Sequence, residues 1–246
     1  MPLKQSEAIV LRTYPMHEAD LLVTFFTRAE GKVKGVAKSA KRSKRRFGGA
    51  LEPLTQVRVY YDDREKRELA RIDSCDVLQS PLAAVVDYPR AAALGHVAEV
   101  LDEFLPDREG NDAVYRLASA VLANLRAGAI WGPVTYFDLW MTRLAGFLPE
   151  LHACMNCGAA LDGERAWFHV LVDGLLCSDD KRLASSELTQ ESRDLATQMF
   201  RVPVDALKVC EWPKQRATDL RKFAVQIMER HLDKKLVTAA MLERIE

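Results

Sequence analysis

The sequence predicts a multidomain α+β protein: a small closed β-barrel first, then helices, with a compact cysteine-bearing insert breaking into the helical part. Three observations carry that expectation. Short runs of β-branched and aromatic residues fill the first ~80 positions, as strands require. After Pro81 the apolar period lengthens to the helical one. Cys154, Cys157 and Cys177 then appear with knuckle spacing inside the helical region.

The elements follow in order. Ala8–Tyr14 is the first candidate strand, and Leu21–Thr27 (LLVTFFT) is the second. Lys32–Ala37 is the third, Gln56–Tyr61 alternates polar and apolar side chains, and Leu69–Leu78 completes the set. Asp62-Asp63-Arg64-Glu65-Lys66 suits a hairpin loop between the last two. Five short strands in this length fit an OB-fold, and an SH3-like barrel fits nearly as well on pattern alone. Leu94–Leu105 and Thr135–Ala145 read as helices, and Val114, Leu117, Val121, Leu122 and Leu125 form one buried helical stripe. Leu220, Phe223, Ala224, Ile227, Met228, His231 and Leu232 make another apolar face, preceded by a short extended piece between Pro203 and Pro213. The expected divisions are an OB-fold nucleic-acid-binding domain over 1–80, helices over 81–150, a zinc-ribbon-like insert over 151–182, and the remaining helices over 183–246.

Bulk properties narrow the function classes. The apolar fraction of 48% suffices for a buried core. The 35 basic and 35 acidic residues balance, which counts against a domain that binds nucleic acid through overall charge. No apolar run approaches the ~18–20 residues of a membrane span. The start, MPLKQSEAIVLRTY, has no apolar signal core, so a soluble cytoplasmic protein is expected. Five cysteines with one close pair suggest metal ligation in a reducing compartment. No H-x-E and no G-x-x-x-x-G-K-[ST] occurs, which argues against deaminase-type zinc chemistry and ATP hydrolysis, and so against an enzyme.

The charge is balanced but not evenly spread. Lys32, Lys34, Lys38, Lys41, Arg42, Lys44, Arg45 and Arg46 fall in one short stretch without an acidic residue. Gly31, Gly35, Gly48 and Gly49 punctuate it as strand, exposed loop and strand. Such a cluster attracts phosphates through counterion release, without reading bases. A solvated surface run is the plainer alternative. Lys38–Arg46 is the sharper part, because Lys32 and Lys34 can simply decorate a strand. Phe47, Tyr60 and Tyr61 are candidates for base stacking, with at least one tyrosine expected in the core. Phe25 and Phe26 are set aside for the same reason.

The insert reads Cys154-Met-Asn-Cys157, a β-like stretch over Trp167–Val172, then Cys177-Ser-Asp-Asp180. Two knuckles separated by a hairpin-length spacer suggest a structural Zn²⁺ ribbon in which Asp180 stands where a fourth cysteine is expected. His152, His169 and Asp179 are rival fourth ligands. Elsewhere, Glu18 and Asp20 suit capping of backbone amides, and Cys75, Cys210, His96 and His231 suit packing. The acidic residues Glu99, Asp102, Glu103, Asp107, Glu109 and Asp112 read as an exposed helix end and loop, or as a docking surface for a basic partner.

The opening segment and the insert together resemble the RecO family of bacterial recombination mediators. The resemblance rests on Glu18-Ala19-Asp20, the strand through Thr27, Gly31-Lys32, Val36-Ala37-Lys38 and Arg46-Phe47-Gly48-Gly49-Ala50-Leu51-Glu52-Pro53. It implies an N-terminal OB-fold, a helical domain and a zinc module, with Asp180 departing from the four-cysteine form. It also implies binding to single- and double-stranded DNA and annealing of complementary strands. The implied partners are RecR, sometimes RecF, and the acidic tail of single-stranded DNA-binding protein, with RecA loaded as the outcome. An RNA- or ribosome-binding module and a protein-interaction scaffold remain the alternative functions.

Overall fold

The computed structural model describes residues 3–63, 68–81, 86–207 and 212–245. The chain divides into two compact units, Met1–Leu122 and Ala123–Glu246.

In the first unit, β1 (Lys4–Pro15), β2 (Leu21–Thr27), β3 (Gly31–Ala37), β4 (Gln56–Asp62) and β5 (Ala70–Gln79) close a barrel in the order β1-β2-β3-β5-β4. All neighbours are antiparallel except β3 and β5, which run parallel over Gly35–Ala37 and Ala70–Ile72. This OB-like order disposes of the SH3-like alternative. Gly35 makes the parallel crossing possible: a Cβ there would lie 2.5 Å from Ile72 Cδ1 and 2.9 Å from Ala70 O. Period-two alternation sends Val10, Val23, Phe25, Val33, Val59 and Tyr61 inward. The proposed hairpin loop reaches Asp63, and Arg64–Arg67 lie outside the described residues.

Two helices complete this unit's fold. Asp87 caps α1 (Tyr88–Phe104) by accepting from Arg90 N at 2.9 Å, and Pro89 sits in the first turn, where no amide is missed. Asn111 caps α2 (Asp112–Arg126) through Val114 N at 3.1 Å. The segment joining them lies on the β2–β3 turn. Arg108 N donates to Lys32 O at 2.9 Å, and a Cβ on Gly31 would meet Glu109 O at 1.9 Å. No side chain fits at that approach, and Gly31 also adopts φ +68°.

The acidic cluster is therefore not a free surface. Asp102 pairs with Arg12 at 2.5 Å and Lys32 at 3.8 Å, and Asp107 pairs with Lys34 at 3.1 Å and Lys32 at 3.6 Å. Asp112 meets Arg28 at 2.7 Å. The acidic loop is exposed as expected at Asp107, Glu109 and Asp112, but it lies as a strap on the barrel's outer face with Asp107 and Asp112 paired. Burial raises the carboxyl pKa of Asp107, but Lys34 and Lys32 outweigh it and the net shift is downward. A depressed folded pKa means the contribution is complete above the ordinary carboxylate value and disappears as pH falls through the folded one. Protection of the Arg108 amide against hydrogen exchange is thus expected to fall below about pH 4. In Asp107→Asn it is expected to be low already at pH 6; a flat protection profile in both proteins would exclude this role for the strap.

The second unit contains α3 (Trp131–Leu144), the short pair β6 (Ala166–Phe168) and β7 (Ser186–Leu188), α4 (Gln190–Met199), α5 (Thr218–Leu232) and α6 (Val237–Glu243). Leu220, Phe223, Ala224, Ile227 and Met228 are buried on α5, and Phe223 meets Phe168 edge to face at 5.2 Å. His231 ends that stripe at the surface, stacked on Phe147 at 4.0 Å. Where an extended piece was expected after Pro203, Val204–Leu207 forms a 3-10 turn; Lys208–Glu211, with Cys210, lies outside the described residues. Among the described residues, no helix is long and apolar enough to cross a membrane.

Candidate nucleic-acid interface and metal centre

The β3–β4 connection folds back on itself because its apolar residues have a core to enter. Phe47, Ala50 and Leu51 plug the barrel and are nearly fully buried. Phe47 is 2% exposed, so its ring offers no face to a base and the stacking role expected for it is withdrawn. Tyr61 is also core, whereas Tyr60 is half-buried on the outer side. The basic residues are thereby turned outward on a pinned turn instead of a free loop. Ser39 N donates to Asp20 Oδ1 at 2.7 Å, and Lys41 N donates to Ala19 O at 3.1 Å. Asp20 thus caps a backbone amide as expected, while Glu18 pairs with Arg42 at 2.5 Å.

The eight cations separate into distinct roles. Lys32 and Lys34 are committed to the strap. Arg46 is structural: its guanidinium donates to Lys38 O at 2.6 Å, Ser43 Oγ at 3.1 Å and Asp73 O at 3.4 Å. It also lies 4.9 Å from the Phe47 ring centre. Lys38, Lys41, Lys44 and Arg45 are exposed and have no ion pair among the described residues. Cys75, by contrast, is buried, and burial raises its thiol to about 12, so it is an inert packing group.

In the second unit, Cys154, Cys157, Cys177 and Asp180 converge, with one ligand atom from each lying within 4.8 Å of the others. Cys157 Sγ is 3.7 Å from Cys177 Sγ, and Asp180 Oδ2 is 3.2 Å from Cys154 Sγ and 3.3 Å from Cys177 Sγ. A tetrahedral ion with ~2.3 Å sulfur and ~2.0 Å oxygen bonds needs separations of about 3.8 and 3.5 Å, so the donor set fits. The thiols of Cys157, Cys154 and Cys177 and the Asn156 amide all bond Asp180, which lowers its pKa to about 2 and keeps it an ionised carboxylate at neutral pH, a form able to ligate a metal. At Cys157 the backbone bond from Ala159 favours thiolate, but the neighbouring Asp180 and cysteines outweigh it and raise the thiol to about 12. A divalent cation would relieve that crowding of negative charge.

Geometry also chooses among the rival ligands. His152 is engaged with Asp162 at 2.8 Å, His169 accepts from Leu171 N at 3.1 Å, and Asp179 lies outside the cluster. Two contributors were not legible in the spacing. Asn156 fixes Asp180 Oδ1 at 2.5 Å, and Arg193 on α4 anchors the backbone around the first knuckle. Only the side-chain amide inside C-x-N-C hinted at the former; nothing in the sequence marked the latter.

Comparison with known proteins meets these two features. Residues 1–81 match the family described as Recombination protein O N terminal, and residues 85–239 match Recombination protein O C terminal. The chain belongs to the RecO family. The DNA repair protein RecO of Koribacter versatilis is 70% identical over 244 residues, covering 99% of this chain and 100% of that protein. A RecO of Anaeromyxobacter is 31% identical over 241 residues, covering 96% and 94% of the two chains. That of Bifidobacterium adolescentis is 34% identical over 186 residues, covering 73% and 74%. The RecO matches thus span the barrel, the helices and the cysteine cage alike.

Proposed function

We propose that this RecO-family protein is a recombination mediator that binds single- and double-stranded DNA without reading sequence and anneals complementary strands. With RecR, and RecF where present, it would help RecA replace single-stranded DNA-binding protein. One observation carries the reading: Lys38, Lys41, Lys44 and Arg45 stand exposed, with no ion pair among the described residues, on a turn whose backbone is pinned by Ala19 and Asp20. Fixed cations position a phosphate chain while carrying no base information, which suits a protein that must hold two unlike strands and release them paired. The relatives named as DNA repair proteins support the same setting.

The cysteine cage would hold zinc in a structural role, since all four protein positions are filled and none is open for water. In the second unit, a cavity of about 340 Å³ is lined by Arg143, His152, Arg201, Leu148 and Phe200. Arg143 and Arg201 on its rim, beside Glu150, and its apolar wall suit the acidic tail of the single-stranded DNA-binding protein. The deciding measurement is oligonucleotide binding and annealing across a salt titration, with RNA of equal length as competitor. Four phosphate contacts predict a log–log slope near −3 for single strands, at ~0.7 per contact. A flat salt response, or preference for RNA, would overturn the reading.

A further inference from the structure

The outer face of β1, β2 and β3 carries three cross-strand rows. The first joins Ile9, Phe26 and Lys32, and the second joins Arg12, Thr24 and Lys34. The third joins Tyr14, Leu22 and Val36 and continues across the parallel contact to Arg71. This is the face that OB-folds commonly present to oligonucleotides. Here the first row is closed: Ile9 and Phe26 are fully buried, Phe26 lies against Tyr115 at 5.6 Å, and Lys32 is held by Asp102 and Asp107. The second row is neutralised, with Arg12 on Asp102 and Lys34 on Asp107. The third row is left open. Tyr14 is 48% exposed, Leu22 and Val36 are half-buried, and Arg71 is exposed.

We infer that Tyr14, backed by Leu22 and Val36, is a base-stacking subsite for single-stranded nucleic acid, separate from the phosphate-gripping turn. The inference rests on the proposed nucleic-acid reading and adds to it the contact that tells unpaired from paired strands. Three features support it. Arg12 Nη1 donates to Tyr14 Oη at 3.0 Å, and Arg12 Nε is itself tied to Asp102, so the ring is oriented before any ligand arrives. The row ends beside the pair Leu21 and Ala37, one residue from Lys38, so a strand held at the turn brings its bases over Tyr14. Lys38 lies on one side and Arg71 at the far end of the row, while the carboxylates beside Arg12, Asp102 and Glu103, are paired with it. Bases stack on aromatic faces whatever their identity, whereas a duplex keeps its faces inside the helix.

The test compares Tyr14→Ala, Tyr14→Phe and the charge-reversed turn (Lys38, Lys41, Lys44 and Arg45 to Glu) on single-stranded and duplex DNA. A 2-aminopurine oligonucleotide reports stacking directly. Tyr14→Ala is expected to weaken single-strand binding by about 5- to 150-fold and to abolish the 2-aminopurine quenching, at an unchanged salt slope and unchanged duplex affinity. Tyr14→Phe keeps the ring and is expected to retain the quenching. The side chain is half in solvent, so folding should survive, and circular dichroism verifies it. If Tyr14→Ala binds and quenches as the parent does while the charge-reversed turn loses binding, the stacking subsite is wrong and the mediator reading stands. If neither variant changes binding, the nucleic-acid reading itself fails and takes the subsite with it.

Discussion

Reversing Lys38, Lys41, Lys44 and Arg45 together to glutamate is expected to lower DNA affinity by roughly 10²–10³-fold at physiological salt, with the thermal midpoint unmoved. A unit charge 4 Å from a phosphate in water is worth about 1 kcal/mol before screening, and reversal replaces each attraction with a repulsion. Four such replacements, about halved by a Debye length of ~8 Å, give that range. Stability should hold because these side chains are exposed and make no ion pair among the described residues. The neighbouring arginines serve as internal contrasts. Arg46→Glu removes the bonds to the Lys38 and Asp73 carbonyls and places a carboxylate against them, so it is expected to lower the thermal midpoint. Arg42→Glu sets two carboxylates together at Glu18 and should loosen the turn. Filter binding and melting curves on the three proteins separate the roles; wild-type affinity in the fourfold variant would remove the turn from the interface.

The strands were legible because the barrel interior enforces a period of two, and a one-residue slip would turn every inward side chain out. β2 falls on the expected residues, and the others differ only at their ends. β1 starts earlier than expected, at Lys4, because charged Lys4 and Glu7 hide an edge that pairs with β4 through Lys4 and Tyr61. Phe47 was misread for a different reason. Its neighbours in sequence are cations, but Ala50 N bonds back to Phe47 O at 2.7 Å, and the turn drives the ring into the barrel. Local composition carries no trace of that reversal.

Contacts between distant residues were the least legible. The pairing of Asp107 with Lys34 joins positions 73 residues apart, so the sequence shows an acidic loop and a basic strand but not their mutual neutralisation. α4 also went unread. Its sequence, QESRDLATQM, is too polar to mark a buried face, yet Leu195, Ala196, Met199 and the arginine at 193 are buried. At the candidate metal cage the spacing supplied three cysteines and put Asp180 in the fourth place, with His152, His169 and Asp179 as rivals. Only the approach of Asp180 Oδ2 to two sulfurs selects one.

That buried arginine should be the most costly single side chain to lose in the second unit. Arg193 is 0% exposed and donates to Leu151 O at 3.2 Å, Leu161 O at 2.8 Å, Glu164 O at 2.7 Å and Gln190 Oε1 at 2.6 Å. Burial lowers its pKa despite Asp162 and Asp194 nearby, so carbonyl dipoles do most of the compensation. Arg193→Ala leaves those carbonyls without their donor and opens a void, at an expected cost of about 3–5 kcal/mol. Leu151 and Leu161 flank the first knuckle, where Cys154 N bonds Ala159 O and Leu161 N bonds His152 O, each at 2.8 Å. Slackening that backbone should also weaken the proposed metal site, so Arg193→Ala is expected to lower both Zn²⁺ uptake and thermal stability. The double variant Cys154→Ser, Cys157→Ser separates the two causes, because it empties the cage while keeping the arginine. If Arg193→Ala retains zinc and melts as the parent does, the anchoring role is wrong. If the cysteine variant also loses stability, the cysteine cage and the guanidinium both support the first knuckle, and their losses should combine less than additively.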